Sequence, residues 1–242
     1  MQLLFGDSLA PITSTVGFLE VPSDTAVEAF LFWQSRIYQR LGISLAVKNI
    51  EGDLKSVLLQ LLPLTSVQRR RLLFIPTASG WTAFFDNGWR GTDAAAPMSY
   101  LAGQLKCRGI RVVAVPHTMR EASRTAKGRY GATILEVYGT DGKTVRSICA
   151  ANDGGKWVFY QSGQPFLFER TERYKERRVK DRFTFELLDE YLRGIGVCAF
   201  DPEFYLAESS DPAQLISKIG PLAPSVKEYT LAEARKGSRL DT

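Results

Sequence analysis

Three side chains offer acid–base chemistry by their type and setting: Asp86, Asp93 and His117. The two aspartates share one loop, DNGWRGTD, where paired carboxylates can hold a cation or divide acid and base roles between them. His117 is the single histidine of the chain and follows the apolar run VVAVP, which predicts an imidazole at the carboxyl end of a strand. On paper Ser79 completes a triad with His117 and Asp86. Its surroundings, Thr77-Ala78-Ser79-Gly80, lack the glycine two residues ahead of the serine that a nucleophile elbow carries. The competing reading gives the aspartates ordinary work, with Asp86 opening a turn and Asp93 capping the next helix.

Other chemistries find no footing. There is no GxxxxGK[ST], and no G-x-G-x-x-G follows a strand and opens a helix. Asp153-Gly154-Gly155-Lys156 reads as a hairpin turn rather than a phosphate cradle. Cys107, Cys149 and Cys198 are odd in number and form no CxxC pair, so they are expected as buried reduced thiols rather than metal ligands or a disulfide framework. Neither a cofactor nor a metal is expected.

Binding features are stronger. Trp81, Phe84, Phe85, Trp89 and Arg90 crowd ten residues. Alternation assigns Trp81, Phe84 and Phe85 to a strand facing the core, and leaves Trp89 and Arg90 as candidate anchors for a partner, since tryptophan and arginine dominate interfaces. Charge is segregated as well. The net charge is +5, yet residues 67–129 carry 11 basic and 3 acidic side chains, a local +8. Arg69, Arg70, Arg71, Arg90, Lys106, Arg108, Arg111, Arg120, Arg124, Lys127 and Arg129 make up that segment. Such a stretch suits phosphate or an acidic protein surface. Residues 169–182 are densely charged with mixed signs, and Glu169–Arg173 and Glu176–Lys180 have the i,i+4 spacing of an exposed helix.

The elements that must position these residues follow from periodicity and punctuation. Residues 14–62 read as strand, helix, strand, helix, with Thr25 and Glu28 spaced as a capping box and Asp53 capping the second helix. Residues 70–76 and 80–86 read as strands, a helix starts near Pro97, and 110–116 is a buried strand. Three strands over 130–139, 144–151 and 156–162 are joined by glycine-bearing turns and predict an antiparallel meander. The connection 118–130 is either an exposed loop or a short solvated helix begun by a capping box at Thr118 and Glu121; 184–193 suggests a longer helix, Asp211-Pro212 the start of a short one bearing Leu215, Ile216 and Ile219, and Thr230 with Glu233 a last capped helix.

With 242 residues, 45% of them hydrophobic, and no linker-like stretch, the expectation is a single α+β domain over residues 1–242. Its parts are a β-α-β-α section at 14–62, a central mixed sheet at 70–162 and a helical C-terminal section at 168–236. Met1–Phe5 has no basic flank, and the longest apolar run, 57–64, is broken by Gln60 and Pro63. It falls short of the roughly 20 residues of a membrane span, so a soluble cytoplasmic protein without a membrane partner is expected. The functional expectation is a non-enzymatic protein-binding module, of the inhibitor or immunity type, that engages an acidic partner. Its contacts would be Trp89, Arg90, Arg108, Arg111, Arg120, Arg124, Lys127 and Arg129. A nucleic-acid-binding accessory protein using the same charges is the first alternative, and a hydrolase or transferase built on Asp86, Asp93 and His117 the second.

Overall fold

The computed structural model describes residues 3–119, 128–206, 211–221 and 223–237. In chain order they form β1 (Thr15–Leu19), α1 (Ser23–Tyr38), β2 (Ser44–Ile50), α2 (Leu54–Leu59), β3 (Leu64–Thr65), β4 (Arg71–Pro76), β5 (Thr82–Asp86) and α3 (Ala95–Leu105). There follow β6 (Gly109–Val115), β7 (Ala132–Tyr138), β8 (Thr144–Asp153), β9 (Lys156–Gly163), α4 (Phe185–Ile195), β10 (Ala213–Ile219), β11 (Glu228–Tyr229) and α5 (Leu231–Gly237). The fold is α+β around a nine-stranded sheet ordered β2-β10-β4-β5-β1-β6-β7-β8-β9, with a separate β11-β3 pair.

Every pairing in the large sheet is antiparallel, which corrects the expected mixed sheet. The opening strand-helix-strand does not place its strands side by side. β1 lies between β5 and β6, while β2 sits at the far edge on β10. A parallel pair needs adjacent strands joined by a crossover, and here other strands occupy the intervening places.

Alternation sorts side chains to two faces. Leu72, Phe74 and Phe84 meet Phe30 of α1 and Met98 and Leu101 of α3 on one side. Leu73, Ile75, Ala83 and Phe85 meet Leu58 of α2 and Leu188 and Tyr191 of α4 on the other. The approach of α3 to β1 requires glycine at position 17, where a Cβ would lie 2.7 Å from the Met98 sulfur. Trp81, Phe84 and Phe85 are all buried. Cys107 is buried, Cys149 and Cys198 are half-buried, and all three are free thiols.

Residues 213–219 correct the expected short helix: they are a strand, inserted between β2 and β4. Leu215, Ile216 and Ile219 fit a helical stripe on paper. A strand flanked on both sides and covered on both faces also presents apolar residues at adjacent positions, so local periodicity cannot separate the two. The C-terminal section is therefore not uniformly helical, since α4 and α5 share it with β10 and β11.

The charged run 169–182 is likewise not one solvated helix. It forms two short 3-10 turns, Thr171–Lys175 and Val179–Asp181. Glu169 does not pair with Arg173 but turns inward, meeting Arg146 at 2.6 Å with both side chains fully buried. Arg173 instead pairs with Glu176, and Arg178 with Asp181.

Caps divide in the same way. Asp53 accepts from the Ser56 N–H, and Thr230 and Glu233 form their reciprocal box. The Thr25–Glu28 box does not form: α1 starts at Ser23 after Pro22, and Asp24 bonds Gln214 of β10. Glu121 of the expected Thr118–Glu121 box lies outside the described residues. No helix among the described residues is long and apolar enough to cross a membrane.

Candidate functional site

β5 and β6 both run antiparallel to β1, so their carboxyl ends share one end of the sheet with the amino ends of β1, β4, β7 and β9. Asp86, Trp89, Arg90, Asp93, His117, Arg129 and the run Arg69–Arg71 all leave the sheet at this end. Lys106 and Arg108 precede β6 and lie at the opposite end, as does Ser79 in the β4–β5 link.

Asp86 organises the loop that follows it. Its Oδ1 accepts from the Gly88 N–H at 2.8 Å and its Oδ2 from the Asp93 N–H at 2.8 Å, while Arg69 Nε lies 3.8 Å away. The carboxyl is buried, and burial raises its pKa to about 6 against the pull of those N–H groups and Arg69. Asp93 itself is exposed and does not cap α3, whose N-cap is Ala94 without a side-chain bond.

That raised value has a stability consequence. Folded protein retains a proton on Asp86 that the unfolded chain releases, so this contribution is most favourable below about pH 4 and declines as pH rises towards 6. Asp86→Asn shifts stability by a constant through its altered hydrogen bonds but removes the titration. Urea unfolding at pH 4 and pH 7 should show the stability advantage of the wild type over Asp86→Asn shrinking by up to about 3 kcal/mol at the higher pH. An equal difference at both pH values would count against a raised pKa.

His117 is exposed, and its Nδ1 accepts from the Gly131 N–H at 3.2 Å. Gly131 has no room for a side chain, because a Cβ would lie 2.6 Å from that of His117. The imidazole's ring neighbours are Tyr130 and Trp157. Asp86 lies two strands across the sheet and His117 four residues beyond Val113, which by strand spacing separates them by on the order of 15 Å. The structure thus brings Asp86 to Asp93 but not to His117. Ser79, which donates to the Gly196 carbonyl at 2.7 Å, is far from both. No triad assembles from these three groups.

Trp89 is half-buried rather than a free anchor. Tyr229 of β11 stacks on it at 5.0 Å and 16°, and the Arg90 guanidinium lies 4.8 Å from its ring centroid. The Tyr229 stack and the Arg90 guanidinium both compete with a base for this ring. Arg90 is exposed.

The basic segment is not one patch. Arg108 is held in a two-pronged bond to Glu20, whose carboxyl it keeps below the usual range, and Arg111 pairs at 2.8 Å with its cross-strand partner Glu136. These two expected contact residues are therefore already engaged. Arg129 pairs its backbone with Thr118, and Arg120, Arg124 and Lys127 lie outside the described residues.

What concentrates charge is the start of β4. Among the described residues, Arg70, Arg71 and Arg90 have no carboxylate within 4.0 Å, and Arg69 has only the buried Asp86. Arg70 reaches the Gly220 carbonyl at 2.8 Å, while Arg69 Nε and Arg71 Nη1 are buried without any acceptor. Asn87 holds this junction, its Oδ1 accepting from the Arg70 and Arg71 N–H groups and its amide donating to the Pro63 carbonyl. Lys218 of β10 adds a further charge under α1. It donates to the Tyr38 hydroxyl, sits 4.2 Å from that ring's centroid, and is lowered by burial to about 8. Neither Asn87 nor Lys218 carried a signal in the sequence, because each acts through partners distant in the chain.

Two open grooves, of about 520 and 350 Å³, lie along α4 and between α1 and α3, away from this end. Among the described residues no group of three or more His, Cys, Asp or Glu side chains is placed to hold a metal ion. No protein-family model matches the chain, and no similar protein is found among curated sequences or solved structures.

Proposed function

We propose that this chain is a protein-binding module that engages an acidic partner, in the manner of a dedicated inhibitor or immunity-type protein. One observation carries the reading. Arg70, Arg71 and Arg90 collect at one end of the sheet without carboxylate partners among the described residues. A carboxylate from a partner fits the accessible nitrogens of an arginine fork. The loop of Trp89 and Arg90 borders the same junction, since the Trp89 N–H donates to the Thr65 carbonyl and the Asn87 side chain holds Arg70 and Arg71. Charge at such a surface mainly sets encounter rate and partner choice.

The nucleic-acid reading has the same charges but loses its stacking residues, because Trp81 is buried and Trp89 is covered. The two are separated by titrating the protein with poly-glutamate and with single- and double-stranded oligonucleotides across a salt series. The protein reading expects poly-glutamate binding that weakens with salt and falls about tenfold or more in the Arg70→Glu/Arg90→Glu variant. Tighter binding of an oligonucleotide than of poly-glutamate near 150 mM salt, with a steep salt slope, would transfer the site to nucleic acid.

A further inference from the structure

The sheet ends on one side at β9, which pairs only with β8. The β8–β9 link is a two-residue turn, Gly154-Gly155, closed by the Asp153–Lys156 pair. Hydrogen bonding alternates along an antiparallel ladder from that closing pair. Lys156, Val158, Tyr160 and Ser162 therefore bond to β8, and Trp157, Phe159 and Gln161 turn their N–H and C=O groups outward. No described residue bonds to these outward groups.

Edge strands are usually blunted by a central charge, a proline or a bulge. β2, at the other edge, carries Lys48 in its interior. β9 runs for eight residues, KWVFYQSG, with its one charge at the end nearest the turn, and its Val158 and Tyr160 are exposed on the face away from α4. Nothing in it opposes the addition of a strand.

The surroundings of this edge are basic. The turn Val179–Asp181 packs on β9, and Arg182 lies 5.8 Å from the centroid of the Phe159 ring. Residues 173–182 hold six basic and two acidic side chains. Both acids are already paired, Glu176 with Arg173 and Asp181 with Arg178, which leaves Lys175, Arg177 and Lys180 exposed without an ion pair among the described residues. A second copy of the chain would bring an equally basic flank to the edge and be repelled, whereas an acidic strand is attracted.

We propose that the outer edge of β9 accepts an extended acidic segment of the partner as a tenth strand, its main chain bonding to Trp157, Phe159 and Gln161 and its carboxylates facing Lys175, Arg177 and Lys180. This rests on the acidic-partner reading and adds the mode of binding. The probe is an eight-residue peptide alternating glutamate and valine, matched to the length of β9, together with the same peptide N-methylated on alternate backbone nitrogens. Binding of the plain peptide should slow amide exchange at Trp157, Phe159 and Gln161 by about tenfold or more. N-methylation, which keeps the charge but removes the donors, should abolish that slowing, and Lys175→Glu/Arg177→Glu/Lys180→Glu should weaken binding by about tenfold. A peptide that binds equally well when methylated, and is released by Arg70→Glu/Arg90→Glu, would overturn the edge proposal while keeping the acidic-partner reading. Absence of binding by both the peptide and poly-glutamate up to about 1 mM would overturn both. Protection of the same three amides that rises with protein concentration alone would assign the edge to a second copy.

Discussion

Replacing Glu169 with glutamine is expected to lower the unfolding free energy by about 3–5 kcal/mol, the cost of leaving a buried charge without its counter-ion. Arg146 and Glu169 are both fully buried, and every guanidinium nitrogen of Arg146 is used. Two of them bond the Glu169 carboxylate at 2.8 and 2.6 Å, and the third bonds Gln161 and the Ser162 carbonyl. Glu169 is bonded further by the Tyr174 hydroxyl and the Phe166 N–H. Burial alone would raise its pKa, but Arg146, Tyr174 and the Phe166 N–H outweigh burial and hold it below the usual range. A lowered folded-state pKa means that the stabilising contribution is complete above the unfolded value of roughly 4.3 and is lost as pH falls through the folded one. Glutamine keeps the shape but presents an amide N–H₂ to a guanidinium, so one pair of donors is left facing another. Urea denaturation at neutral pH measures the loss, and a change under about 1 kcal/mol would show that water reaches Arg146 in the folded state. The segment from Phe166 to Arg182 is held onto β8 and β9 by this network, so its amides should lose exchange protection first.

Phe74→Ala is expected to cost a comparable 3–5 kcal/mol, about what removal of a buried phenylalanine ring usually costs. Phe74 lies in β4 with no exposed surface, and its ring centroid is 5.5 Å from that of Phe30 and 5.1 Å from that of Phe84. Those rings are the contact of α1 with the middle of the sheet, so the cavity lies where relaxation would need helix and strands to move together. The Phe30→Ala/Phe74→Ala double variant should fall short of the sum of the singles, because the two share one cavity. Phe32, two residues from Phe30 and so on the opposite side of α1, is 69% exposed and supplies the control: Phe32→Ala should change stability by about 0.5 kcal/mol or less. Equal effects at Phe74 and Phe32 would mean that α1 does not dock as described.

The charged residues show most clearly where sequence reasoning stops. The count of 11 basic against 3 acidic side chains in residues 67–129 is correct as a count, but it treats neighbours in the chain as neighbours in space. Folding sends Lys106 and Arg108 to one end of the sheet and Arg69–Arg71 with Arg90 to the other, because β6 begins where β5 does. Arg108 and Arg111 then meet Glu20 and Glu136, acids 88 and 25 residues away. Asp86 and Asp93 stay together because a seven-residue loop permits little else, whereas His117 is carried away by the strand that separates β5 from β6.

Features set by neighbouring residues are legible along the chain. They include the Asp53 cap, the reciprocal bonds of Thr230 and Glu233, and the positive φ of Gly154 and Gly155. Each depends on interactions within a few residues, where side-chain type and spacing are enough. Long-range packing makes residues 213–219 a strand between β2 and β4, turns Glu169 into a buried ion-pair partner rather than a solvated helix residue, and leaves β9 at the end of the sheet. Those outcomes turn on which distant surface covers a segment. Burial on both faces and pairing across some 140 residues are energies that no local window contains.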